Sequence, residues 1–150
     1  MKLERETLSE REPILVLNNP WIISQEYVDT YGNHLNEAKA LIIFEEERMK
    51  LFDKDRLSKF GVLAFVREQH ARYHAQVYEG ESVDIETSLY VEGARLYFIH
   101  QMRREGIVVL DDLVEAAIVN GQGRPTRIPQ MLLQEIRASQ FNSPQGETQG

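Results

Sequence analysis

The sequence predicts an α+β domain in which a five-stranded antiparallel sheet wraps around one central helix. Three observations carry this reading. A 3.6-residue apolar period runs through residues 37–52, the signature of one amphipathic helix. Strict apolar/polar alternation then dominates residues 71–118, as half-buried strands require. Short Glu-Gly turns separate the last of these runs, which makes them antiparallel hairpins.

Taken in order, the first twelve residues are charged and lack an apolar period, and the last twelve, SQFNSPQGETQG, are rich in Gly, Ser, Gln and Pro. Residues 1–14 and 139–150 are therefore expected to be flexible tails on a single domain at 15–138. Residues 21–27 read as a short strand led by Asn-Asn-Pro turn chemistry, and DTYGNHLN follows as a loop. On the helix, Ala38, Leu41, Ile42, Met49 and Phe52 fall on one face, with Asn36 placed to cap it. Ala71, Tyr73, Ala75 and Val77 share one side of the next strand, and Val83, Ile85, Thr87, Leu89 and Val91 repeat the pattern. Turns at Glu92-Gly93 and Glu105-Gly106 lead into strands around residues 96–102 and 108–118. The segment GQGR at 121–124 closes the last strand, and residues 129–138 form a short helix with Pro129 in its first turn. One helix cannot cover both edges of such a sheet, so self-association is expected, as a homodimer or homotetramer.

Composition narrows the function. With 150 residues, 42% hydrophobic and 27% charged, the chain is sized for one compact domain. A net charge of -7 argues against the basic stripe of a nucleic-acid binder. No run of about 18 apolar residues offers a membrane span, and the charged N-terminus lacks a signal peptide's apolar stretch, so a cytoplasmic protein is expected. The absence of cysteine removes disulfides, thiolate nucleophiles and Cys-based zinc sites together. Chemistry then falls to carboxylates, His, Ser or backbone groups. His70 and His74 have the spacing of a helical metal pair, but on a strand that spacing is about 13 Å, and no metal is assigned. His100, among apolar strand positions, reads as a hydrogen-bonded core or interface residue. There is no Gly-x-Ser-x-Gly, and GQGR is a turn rather than a phosphate loop.

The informative stretch is residues 29–48, DTYGNHLNEAKALIIFEEER, at a strand-to-helix junction. Free N–H groups at a helix start polarise a carbonyl or hold an anion. A carboxylate on the loop feeding that terminus, here Asp29, is placed to attack the carbonyl or deliver water to it. The plainer account of Asp29 and Asn36 is turn and cap chemistry. Glu45 falls in the middle of the expected stripe and should face inward, either in an ion pair with Arg48 or as a second catalytic carboxylate.

This segment resembles the loop of the 4-hydroxybenzoyl-CoA-thioesterase-like family, roughly Asp-x-x-Gly-His-x-Asn-Asn, a Tyr, then Phe-Glu-Glu-x-Arg. Asp29, Gly32, His34, Asn36, Phe44, Glu45, Glu46 and Arg48 match in order. The likeness spans roughly residues 21–137, through Tyr73, Gly80 and Val83 to Gly123-Arg124-Pro125 and Arg127-Ile128-Pro129. It departs twice: Asn33 is an extra residue between Gly32 and His34, and Ala40 stands where the family has Tyr. That exchange enlarges an acyl pocket if Ala40 faces the ligand, and does not if Ala40 faces the sheet or a partner subunit.

The resemblance implies a hotdog fold and hydrolysis of an acyl thioester carried by coenzyme A or an acyl-carrier protein, with no cofactor beyond the coenzyme A of the substrate. Asp29 would be nucleophile or general base, and His34 would orient the loop or the attacking water. Amides near Asn36 and Glu37 would hold the carbonyl oxygen, Gly32 and Ala40 would line the substrate, and Arg124 and Arg127 would meet the coenzyme phosphates. Hotdog relatives pair by extending the sheet and place each active site at the shared interface. Two rivals share the fold. Enoyl-CoA hydratases of this type use an Asp and a His five residues apart, as Asp29 and His34 are, but their intervening Asn-Pro and following Ala-His-Gly are missing. A non-catalytic acyl-CoA sensor is the other.

Overall fold

The computed structural model of the chain describes residues 4–141. Its elements are α1 (Arg5–Ser9), β1 (Leu15–Ile22), a 3-10 turn (Gln25–Tyr27), α2 (Glu37–Met49), α3 (Lys54–Lys59), β2 (Leu63–Tyr73), β3 (Ser82–Glu92), β4 (Arg95–Arg104), β5 (Ile107–Val119) and α4 (Gln130–Phe141). The five strands form one antiparallel sheet in the order β1-β3-β4-β5-β2, so β1 and β2 are its edges. This is the wrapped-helix α+β architecture that the patterns predict.

Alternation sorts the sheet into two faces. The rows Ile85–Met102–Leu110 and Leu89–Phe98–Val114, paired across β3, β4 and β5, point toward α2. Ala40, Ile43 and Phe44 of α2 are fully buried against this face. Leu51, Phe52 and Leu57 continue the same core toward Leu132 and Ile136 of α4. The intervening rows, Tyr90–Tyr97 and Ile99–Leu113, point the other way and pack with Leu8 of α1.

Several elements differ from expectation, each for a local reason. The first strand begins at Leu15 and ends at Ile22, and Asn18-Asn19-Pro20 lies inside it instead of forming a turn. Pro20 is tolerated because β1 is an edge strand, where a missing N–H costs no ladder bond. The second strand ends at Tyr73, because the amides of His74 and Ala75 both turn onto the Val109 carbonyl (2.9 and 3.2 Å) and stop the ladder. Helices α1 and α3 carry short apolar content that no period revealed. The C-terminal tail expected at 139–150 falls mostly outside the described residues, and α4 continues through Phe141.

The larger correction concerns the orientation of α2. Its buried positions are Ala40, Ile43, Phe44, Glu47 and Arg48, whereas Ala38, Ile42, Glu45 and Met49 are exposed. Two charged residues occupy the inward face; of the expected stripe, Phe52 is buried and Leu41 packs partly against the core, while Ala38, Ile42 and Met49 face outward. Glu47 is tolerated at 0% exposure because its carboxylate accepts from Asn19 Nδ2 (2.7 Å) and Trp21 Nε1 (3.0 Å) and pairs with Lys50 Nζ (2.5 Å). These bonds fasten α2 to β1.

Candidate active site

The loop between the 3-10 turn and α2 is closed on itself. Val28 bridges Leu35, and the Asp29 amide donates to the His34 carbonyl (2.9 Å). The reversal uses two successive left-handed residues, Gly32 (φ +75°) and Asn33 (φ +52°). Asparagine is among the few side chains that accept this conformation, so the extra residue Asn33 is built into the turn. Glycine suits position 32 because of its left-handed φ, and a Cβ there would also crowd His34 Cδ2 at 3.2 Å.

Asn36 performs two tasks. Its Oδ1 accepts from the Ala38 and Lys39 amides (2.9 and 3.0 Å), capping α2, while its Nδ2 donates to Asp29 Oδ1 (2.7 Å). The second oxygen of Asp29 stands 3.6 Å from His34 Nδ1, beyond hydrogen-bond reach. Cap chemistry and a held carboxylate thus occur together. The helix-start amides are less free than expected, because the Asn36 N–H donates to the Tyr27 carbonyl (2.9 Å). Of the two amides expected to hold a carbonyl oxygen, that leaves Glu37. Beside it opens a cleft of about 280 Å³ walled by His34, Leu35 and Glu37 on one side and Tyr73, Gln76 and Leu110 on the other. The Tyr73 hydroxyl donates to the Glu37 carbonyl (2.9 Å) across it.

Four other expected site residues lie elsewhere. Ala40 is fully buried among Val83, Ile85 and Met102, so it faces its own sheet and lines no cleft. Glu45 is exposed, and with Arg48, Met49, Ala64, Val66 and Phe98 it borders a second cleft, of about 350 Å³, between α2 and β2. Arg124 and Arg127 are exposed beside the far end of β5, where Val119 bridges Pro125. Leu110 marks the Asp29 end of the same strand, nine residues away, so the arginines are roughly 30 Å from Asp29 within one chain.

Beneath α2 the structure shows a buried polar group that the sequence signalled only through His100. Arg48 Nη1 lies 3.0 Å from His100 Nε2, and since a guanidinium only donates, Nε2 is the acceptor and Nδ1 carries the hydrogen toward Thr87 Oγ1 (2.8 Å). The expected Glu45–Arg48 ion pair is thus replaced by an Arg48–His100 bond. His100 stacks between Phe44 and Phe98 (centroids 4.8 and 6.0 Å). Burial, reinforced by the Arg48 charge, holds His100 well below the ordinary imidazole pKa. Asp112, its cross-strand neighbour, is pushed up by burial; its Oδ2 accepts from Gln69 (2.6 Å) and its Oδ1 has no partner. On the opposite face, burial pushes Asp111 up, but hydrogen bonds from His74 and Arg72 outweigh it and bring its pKa below the usual value. His74 is therefore engaged by Asp111, its Nε2 lying 2.7 Å from Asp111 Oδ2, and among the described residues no group of three or more His, Asp or Glu is placed to hold a metal. No helix among them is long and apolar enough to cross a membrane.

A five-stranded antiparallel sheet enfolding one long helix, with the strand-to-helix loop seated at that helix's N-terminus, defines a hotdog domain. The chain belongs to the thioesterase-like superfamily, whose sequence profile matches residues 23–136. No curated protein sequence matches it. Among solved structures it is similar to a predicted thioesterase of Bacillus stearothermophilus, with a TM-score of 0.68 and 22% identity over 83% of this chain and 96% of that one. The 1,4-dihydroxy-2-naphthoyl-CoA thioesterase of Synechocystis superposes with a TM-score of 0.69 at 6% identity, over 86% and 97%. A Staphylococcus aureus protein in complex with CoA gives 0.66 at 18%, over 88% and 87%. At these identities the likeness speaks for the fold.

Proposed function

We propose that the chain hydrolyses acyl-CoA or acyl-carrier-protein thioesters, with Asp29 as the reacting carboxylate. The observation that carries this is the Asn36 bridge, which holds one Asp29 oxygen at 2.7 Å and caps α2 in the same stroke, leaving the other oxygen beside the helix N-terminus. With the thioester carbonyl oxygen on the Glu37 amide, Asp29 Oδ2 takes a proton from water as the water oxygen bonds to the carbonyl carbon. The tetrahedral oxyanion collapses, the C–S bond breaks, and the departing thiolate takes the proton from Asp29. The products are the free acid and the thiol. Direct attack by Asp29, through a mixed anhydride that water then opens, uses the same placement. His34, 3.6 Å from Oδ2, is positioned to steer the water.

The working unit in this proposal is a homodimer joined through β2. That edge strand is unpaired along its outer side and exposes Leu63 (55%), Phe65 (51%) and Val66, next to outward-facing Ile42 and Met49 of α2. Antiparallel pairing of β2 with its copy about a two-fold axis near the bulge at Arg67 sets the Leu63 end of one strand against the Tyr73 end of the other. The partner subunit's Arg124 and the partner subunit's Arg127 would then approach the cleft beside His34 and Glu37 and meet the coenzyme phosphates. The CoA complex of the Staphylococcus aureus relative supports coenzyme A as the carrier.

Thiol release over a panel of short, long and aromatic acyl-CoAs tests the reading. Wild-type protein should turn over at least one class, and Asp29→Asn, still folded, should lose about a hundredfold or more. Unchanged kcat in the variant would remove Asp29 from the chemistry. The engaged Asn36 amide favours a second reading, an acyl-CoA sensor, which predicts tight binding of acyl-CoA with no thiol released.

A further inference from the structure

The second cleft, between α2 and β2, holds a charged group that the hydrolytic site does not use. Its walls are largely apolar: Met49, Phe52, Leu57, Leu96, Phe98 and Ala116 surround a space of about 350 Å³. Arg48 forms part of the same wall and is only 8% exposed. A cation so deeply placed ordinarily has a counter-ion in contact with it. Among the described residues, however, the hydrogen bond that Arg48 makes runs from Nη1 to His100 Nε2 (3.0 Å), and burial holds His100 neutral. Asp112 and Glu45 act on the guanidinium only through space, and burial outweighs both and lowers its pKa from the ordinary value. The Phe98 ring, its centroid 5.9 Å from Arg48 Cζ, offers a π face and no charge. A guanidinium carries five N–H donors in a flat fork, so the bond to His100 leaves most of them unspent.

An anion with an apolar body complements this arrangement. The two oxygens of a carboxylate match the fork of one guanidinium, whereas the further oxygens and second charge of a phosphate would face apolar side chains with no other cation on the wall. Glu45 is exposed at the border of the cleft, where water and salt screen its charge. At about 30 Å³ per non-hydrogen atom, the share of a water molecule in the liquid, the space takes roughly a dozen such atoms, the size of a ten-carbon acid. Phe65 and Val66, which also line the cleft, belong to the β2 edge through which the dimer is proposed, so the cleft opens at the subunit boundary.

We propose that the cleft between α2 and β2 binds an apolar carboxylate of about ten carbons, with Arg48 taking the carboxylate and Phe52, Leu57 and Phe98 the chain. Two sources share this chemistry: a free acid, and an acyl group that ends in a second carboxylate. The acyl group rests on the hydrolysis proposed above, and the free acid does not.

Calorimetric titration of the full chain with decanoate tests the site. Wild type and Asp29→Asn should bind alike, since Asp29 is not part of this cleft. Arg48→Met should weaken binding between about tenfold and a hundredfold, the range that one hydrogen bond to a charged group corresponds to. If Arg48→Met does not fold, Ala64→Phe, which fills the cleft from its β2 side and leaves Arg48 in place, should weaken binding by about tenfold or more. Thiol release separates the two sources. Faster turnover of the mono-CoA thioester of decanedioic acid than of decanoyl-CoA, with the preference lost in Arg48→Met, assigns the carboxylate to the acyl group. Inhibition by decanoate that excess acyl-CoA does not relieve, without that preference, assigns it to a free acid. No binding of decanoate to wild type, or folded Arg48→Met and Ala64→Phe chains that hold it as tightly as wild type does, would overturn the proposal, whether or not the chain hydrolyses a thioester.

Discussion

Replacing Asn36 separates the two tasks that the structure assigns to one side chain. Asn36→Ala removes the acceptor for the Ala38 and Lys39 amides, and loss of such a cap costs about 1 kcal/mol. For a domain of this size that lowers Tm by roughly 3 °C. Asn36→Ser keeps an acceptor oxygen at the cap and lacks the Nδ2 that reaches Asp29 at 2.7 Å, so its stability should stay within a few tenths of a kcal/mol of wild type. The lost bond is to a carboxylate, but the Asp29 side chain is 37% exposed, and solvent screening reduces its worth to about 1 kcal/mol. If that orientation acts in the transition state, kcat/KM for thioester hydrolysis falls about fivefold. Thermal unfolding and thiol release, run on both variants, give the pair of numbers. A serine variant as unstable as the alanine one would refute the cap assignment, and a stable serine variant with undiminished kcat/KM would refute the claim that Asn36 positions Asp29.

Two further outcomes follow from the core. Ala40→Tyr, placed against Val83, Ile85 and Met102, should overpack the sheet and cost about 3 kcal/mol or more, read in denaturant unfolding, instead of tuning acyl-chain preference. His100 has a folded pKa below its unfolded value of about 6.5, so the unfolded chain binds the extra proton and stability is lost as pH falls through that value. His100→Gln, which can accept from Arg48 and donate to Thr87, should flatten the stability profile between about pH 6.5 and 5. An unchanged slope there would mean that another group carries it.

What the sequence disclosed follows from which forces leave a local mark. Strands β3, β4 and β5 were legible because one face of each packs on the α2 side, and alternation with the polar positions of the other face records that directly. The turn at Glu105-Gly106 shows up as two left-handed residues, as its glycine suggests. The orientation of α2 was hidden, because Glu47 and Arg48 point inward and their partners, Asn19, Trp21 and His100, lie on strands remote in sequence. Apolar periodicity is blind to a face made of satisfied charges. The same long-range character hid α1, whose seat consists of Leu8 alone meeting residues more than eighty positions away. At the candidate site the loop and its cap were readable from Asp29, Gly32 and Asn36. The engagement of the Asn36 amide by Tyr27 was not, since it depends on how the 3-10 turn folds back.

The separation of the expected site residues along β5 has a consequence that can be measured without a structure of the assembly. If Asp29 acts with its own chain's Arg124 and Arg127, the roughly 30 Å between them forbids one bound coenzyme from touching both, since its phosphates must lie within side-chain reach of the arginines. If it acts with the partner subunit's Arg124 and the partner subunit's Arg127, each site in the proposed dimer draws on two chains. Mixing an Asp29→Asn chain with an Arg124→Glu/Arg127→Glu chain then distinguishes the two. In the trans arrangement, the mixed dimer holds one site with both defects and one site with neither. Random pairing of equal amounts makes half of the dimers mixed, and half of their sites intact, so about a quarter of wild-type activity should return on subunit exchange. In the cis arrangement every site keeps one defect, and the mixture shows no more than the mean of the separate proteins. Activity that stays at that mean after exchange has been verified by mass would refute the shared site, and with it the assignment of both arginines to the coenzyme phosphates.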